Sequence, residues 1–112
     1  MSQEILKVQE LQIVDKDGNA RMVLSTGGEG FPSIQFLNPD SSLPVCTLEV
    51  DSKGTHLKFS HPNSANSYFF LNNEGSSGLV MIDGKGQRRY QIIVSEDEEV
   101  KILNSDRRQD PY

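Results

Sequence analysis

The sequence predicts an all-β fold, an antiparallel meander of about nine short strands made from tandem β-hairpins. Three observations predict it. Segments of the form apolar–x–apolar–x recur about every 22 residues. Four apolar segments, counting the strands between them, are followed by Asp or Asn with Gly three residues later. No long segment carries an apolar stripe of helical period.

The leading segments are Leu11-Gln12-Ile13-Val14, Ile34-Gln35-Phe36-Leu37, Leu57-Lys58-Phe59-Ser60, Leu79-Val80-Met81-Ile82 and Val100-Lys101-Ile102-Leu103. Their first residues stand 23, 23, 22 and 21 positions apart. Companion segments at 21–24, 45–50, 68–71 and 90–94 complete the hairpins. Asp15…Gly18, Asp51…Gly54, Asn72…Gly75 and Asp83…Gly86 mark the turns. Asp or Asn accepts hydrogen bonds from the backbone ahead of it, and Gly takes the positive φ that closes the loop. Asn38-Pro39-Asp40-Ser41 and Ser95-Glu96-Asp97-Glu98 occupy equivalent places without the Gly. The remaining connections are 26–30, which is Gly-rich, and 61–64. The Asn38 connection is one residue longer, which predicts a bulge or wider loop with Pro44 at a strand start.

Two-residue alternation tests this pairing. Closing the Asp51–Gly54 turn puts Cys46, Leu48 and Val50 on one face with Leu57 and Phe59. Thr47, Glu49, His56, Lys58 and Ser60 take the other face. The same rule puts Leu11 and Ile13 with Met22 and Leu24, and Leu79 and Met81 with Tyr90 and Ile92. It also keeps Tyr90, Ile92 and Val94 with Val100 and Ile102. Leu11, Phe36, Phe59 and Met81 are therefore expected to share an interior.

The second face is not uniformly polar. Val14, Leu37, Phe69, Leu71, Val80, Ile82, Ile93 and Leu103 are expected there. Phe69, Leu71, Val80 and Ile82 form the candidate interface, to be covered by a second sheet layer, the segment around Ile5 and Val8, or another subunit. Nine strands in a meander allow a closed or nearly closed barrel, two packed layers, or a flat repeat sheet. Closure or oligomerisation would remove exposed sheet edges.

Residues 11–24 (LQIVDKDGNARMVL) and 79–92 (LVMIDGKGQRRYQI) share the pattern apolar strand, Asp-x-x-Gly-x-x-Arg, apolar strand. In period this is similar to the MORN repeat and other hairpin-repeat modules of about 22 residues. The aromatic and glycine motifs that define MORN repeats are absent, so the resemblance implies architecture and no functional residue.

At 112 residues the chain has the size of one domain. Residues 1–104 are expected to form it, with 105–112 a flexible tail. Its net charge of −5 argues against nucleic acid and against an anionic membrane surface as partners. Apolar runs fall short of the ~20 residues a membrane helix needs. The start, MSQEILKVQE, lacks the basic and apolar regions of a secretory signal. With one cysteine, Cys46, an internal disulfide is excluded, and a cytoplasmic location is expected.

No catalytic, cofactor or metal site is expected. Asp15-Lys16-Asp17-Gly18 leads straight into a strand, unlike a calcium loop. Alternation separates Cys46 from His56, so no thiol–imidazole pair forms between them. Two histidines and one cysteine lack zinc-ligand spacing. The acids of 96–99 read as a solvated loop. Arg88 and Arg89 stand at a strand start, and Arg107 and Arg108 in the tail. Tyr68, Tyr90 and Tyr112 are the tyrosines available to a sugar. The expected function is a non-enzymatic structural or protein-interaction module, forming a homo-oligomer or binding another protein. The alternative is a barrel binding a small ligand or a carbohydrate.

Overall fold

The computed structural model describes residues 4–105. The expected tail from residue 106 onward, with Arg107, Arg108 and Tyr112, lies outside the described residues. Nine strands follow one another: β1 (Glu10–Val14), β2 (Ala20–Ser25), β3 (Ser33–Leu37), β4 (Pro44–Asp51), β5 (Gly54–Ser60), β6 (Asn66–Asn72), β7 (Ser77–Ile82), β8 (Arg88–Val94) and β9 (Val100–Asn104). They form one antiparallel sheet in sequence order. Each strand touches only its sequence neighbours, so the sheet does not close, and β1 and β9 are its edges.

The turns explain this order. Five loops share one closure, at Asp15, His61, Asn72, Asp83 and Ser95. In each, the backbone N–H of the first residue donates to the carbonyl four positions on, and the N–H of the fourth donates back to the first. The fourth residue is left-handed: Gly18 (φ 85), Ser64 (φ 83), Gly75 (φ 94), Gly86 (φ 83) and Glu98 (φ 72). Asp15, Asn72 and Asp83 also accept, through Oδ1, the N–H groups two and four residues ahead. Ser64 and Glu98 show that the loop forms without glycine when its other bonds compensate the cost of positive φ.

Bulges interrupt the β1–β2, β3–β4 and β7–β8 pairs. In the first and last of these the extra residue is Arg21 or Arg89, and each guanidinium reaches back to the turn aspartate, Asp15 or Asp83. The Asp-x-x-Gly-x-x-Arg pattern is therefore one unit: the aspartate closes the loop and the arginine at the bulge is tied to it. Pro44 opens β4, and a bulge lies beside it, as its missing N–H requires.

The register draws a row of apolar side chains across all nine strands. Leu11, Leu24, Ile34, Leu48, Leu57, Phe69, Leu79, Ile92 and Ile102 stand opposite one another in turn. A flanking row carries Ile13, Met22, Phe36, Cys46, Phe59, Ser67, Met81 and Tyr90. The four hairpins read by alternation have the expected pairing. Leu11, Phe36, Phe59 and Met81 do share a face, but that face is no interior: they are 40–45% exposed. Among the described residues only Gly54 and Val80 are buried.

Candidate functional site

The register divides the expected interface between the two faces. Phe69 pairs with Leu57 and Leu79, and Leu71 with Thr55 and Ser77, which puts both on the apolar face. Val80 pairs with Tyr68 and Gln91, and Ile82 with Asn66, on the opposite face. Placing all four together on the second face is corrected by the loop at His61. It closes without a bulge, so odd-numbered residues of β5 meet odd-numbered residues of β6. Val80 is moreover 1% exposed and has no surface to offer a partner.

The larger exposed apolar surface is the first face. Among the described residues it holds 12 of the 19 exposed large hydrophobics, from Leu11 in β1 to Ile102 in β9, whereas the opposite face holds Val14 and Leu103. The uncovered area is the consequence of an open sheet. A barrel or second layer would have buried the same side chains.

The opposite face carries a second feature, a concavity of about 750 Å³ between the 51–54 and 72–75 turns and strands β5–β8. The two turns are tied together: the Asn73 N–H donates to the Lys53 carbonyl at 2.9 Å and Asn73 Nδ2 to the Ser52 carbonyl at 2.8 Å. Gly78 stands between Phe70 and Ile93 in register and allows the close approach of β8: a Cβ there would stand 2.4 Å from the Ile92 carbonyl oxygen and 3.0 Å from Ile93 Cγ1. The floor is Val80, flanked in register by Tyr68 and Gln91. Arg88 joins those two neighbours, donating to Tyr68 Oη at 3.2 Å and Gln91 Oε1 at 3.0 Å. Val80, 1% exposed, stands in register between the two residues that this bridge joins. The rings of Tyr68 and Phe70 stand 6.0 Å apart and tilted by 49°.

His56 lies beside the same concavity, opposite Glu49 in the β4–β5 ladder, with Nε2 2.6 Å from Glu49 Oε1 and 3.9 Å from Asp51 Oδ2. The N–H of Lys53, then the His56 ring and the N–H of Gly54, hold the Asp51 carboxyl below its ordinary range. These three residues are the one group of potential metal ligands found among the described residues, their ligand atoms within 4.8 Å of one another. Ligands about 2.1 Å from a tetrahedral metal stand about 3.4 Å apart. The Glu49–His56 separation is that of a hydrogen bond instead. The arrangement is a cross-strand pair with an aspartate beside it.

Comparison of the chain with protein-family models, with curated proteins and with solved structures finds no match. The site therefore rests on its own geometry. Cys46 and His56 lie on opposite faces, as alternation predicts. His61 bonds Asn63 within its own loop at 2.8 Å. The acids of 96–99 sit in the loop closed by Ser95, whose hydroxyl meets Asp97 at 2.6 Å. Tyr68 faces the concavity, while Tyr90 belongs to the apolar face. Among the described residues no helix is long and apolar enough to cross a membrane. Alternation alone does not reveal the concavity, which depends on the tie between the 51–54 and 72–75 turns and on the reach of Arg88.

Proposed function

We propose that this protein is a non-enzymatic structural module that self-associates, a second copy of the chain covering its apolar face. One observation carries the proposal: the unbroken row from Leu11 to Ile102, exposed at Leu11, Leu48, Phe69 and Ile102 and half-buried at the five positions between them. Burying such side chains yields about 1.5–3 kcal/mol each for full transfer, a strong drive towards cover. Nine strands spaced by ~4.8 Å make a strip about 40 Å long, and three inward positions per strand make it about 17 Å wide. That footprint, roughly 700 Å², is close to the ~800 Å² per partner of a stable complex. An identical strip matches it in length and width, and sheets pack face to face at ~10 Å.

Light scattering coupled to size-exclusion chromatography at micromolar concentration tests this. A mass of at least twice 12.5 kDa is expected. A single species at the monomer mass overturns the proposal.

A further inference from the structure

We propose that the concavity on the opposite face binds an acidic saccharide, its ring against Tyr68 and Phe70 and its carboxylate on Arg88. The site is distinct from the self-association face, so the inference stands whatever the oligomeric state.

Its volume, about 750 Å³, lies within the range of ~300–1,000 Å³ usual for small-molecule sites. Its lining has the composition such sites use, an aromatic and aliphatic floor with a few polar groups converging on it. Tyr68, Phe70, Val80 and Ile93 supply the floor. The two rings stand side by side on one sheet face, 6.0 Å apart and tilted by 49°. A pyranose ring offers an aromatic face one side of C–H groups.

The polar groups select the rest of the ligand. Lys53, Lys58 and Arg88 line the concavity against Asp51 and Glu74, an excess of one positive charge in a chain whose net charge is −5. The imidazole of His56 is already matched by Glu49. Arg88 is held in place by Tyr68 and Gln91, which leaves further N–H donors of its guanidinium aimed outward without added ordering cost. Asn72 uses Oδ1 to close its turn, and its Nδ2 remains as a donor at the rim. Asn73 has the reverse arrangement, with Nδ2 engaged and Oδ1 remaining. A donor and an acceptor on adjacent residues suit neighbouring sugar hydroxyls, each of which both gives and takes a hydrogen bond.

Calorimetric titration with trigalacturonate and with the neutral trisaccharide cellotriose tests the assignment. Trigalacturonate is expected to bind at least about tenfold more tightly than cellotriose, as a charge-assisted pair requires. Arg88→Gln is expected to remove that preference. Lys58→Gln, which leaves the Tyr68–Arg88–Gln91 bridge intact, is expected to weaken trigalacturonate by a smaller factor. Phe70→Ala is expected to weaken both sugars. Circular dichroism and the melting temperature of each variant separate loss of the site from loss of the fold. No heat with either sugar, equal affinity for both, or an unchanged preference in a folded Arg88→Gln protein overturns the proposal. Binding of inorganic phosphate in place of the sugars also overturns it, by assigning the cationic rim to another anion.

Discussion

Arg21 Nη2 lies 2.6 Å from Asp15 Oδ2, six residues back across the first turn. The same aspartate closes the loop through its other oxygen. Arg89 repeats the relationship with Asp83 at 3.3 Å.

Substitution at these positions separates the two roles of the aspartate. Asp15→Ala is expected to lower the melting temperature by more than Arg21→Gln, because it removes two backbone hydrogen bonds as well as the ion pair. Asp15→Asn is expected to fall between them, since its oxygen still accepts from the loop. Differential scanning calorimetry of the three variants checks the order.

Acid should weaken the sheet at these turns. Asp15 and Asp83 are held below the ordinary carboxylate value of 3.8, chiefly by the N–H groups of Asn19 and Gln87, with the paired arginines adding to the effect. Asp51 is lowered first by the Lys53 N–H, and Asp97 first by the Ser95 hydroxyl. A carboxyl whose folded pKa is depressed contributes stability that is complete above its unfolded value and lost as pH falls through the folded one. Melting temperature is therefore expected to be flat between pH 7 and about pH 5, then to fall below about pH 4. The double variant Asp15→Asn, Asp83→Asn is expected to show a shallower acid limb. An identical limb in both proteins would contradict this.

Two glycines should resist replacement for a reason that charge cannot cure. A Cβ on Gly54, where φ is +143°, would stand 2.3 Å from the Leu71 carbonyl oxygen. On Gly78 it meets that of Ile92 at 2.4 Å. The obstacle in both cases is backbone of the neighbouring strand. Gly54→Ala and Gly78→Ala are each expected to cost about 1–3 kcal/mol in urea unfolding.

The apolar face offers a separate handle. Leu48 and Leu57 lie opposite each other in the central row, and Leu48 is 42% exposed within one chain. Leu48→Lys is expected to raise the dissociation constant of the assembly by at least about tenfold, by opposing charge to an apolar layer. Sedimentation velocity across a dilution series measures it. An unchanged constant would remove this face from the interface.

The sequence made the strand order and most of the facing legible, for a local reason. Each Asp-x-x-Gly turn fixes its own register, so Ile13 opposite Met22 and Met81 opposite Tyr90 follow from a few residues. The facing of Phe69 and Leu71 is not legible, because the 61–65 loop closes without a bulge and no residue in it announces that. Ser64 takes the left-handed position there. The openness of the sheet was not legible, since a meander gives the same neighbours in a barrel as in an open sheet. The Arg88–Tyr68–Gln91 bridge spans 20 positions in the chain, beyond the reach of any turn rule.

Every strand rests only on the strands before and after it. A chain wired this way has no keystone. One repeat unit can be gained or lost at either edge while every remaining strand except the new edge keeps its partners, much as a zip is shortened from its end. The span of the molecule would then be set by a tally of copies, and evolution could adjust it by duplication without inventing a new core.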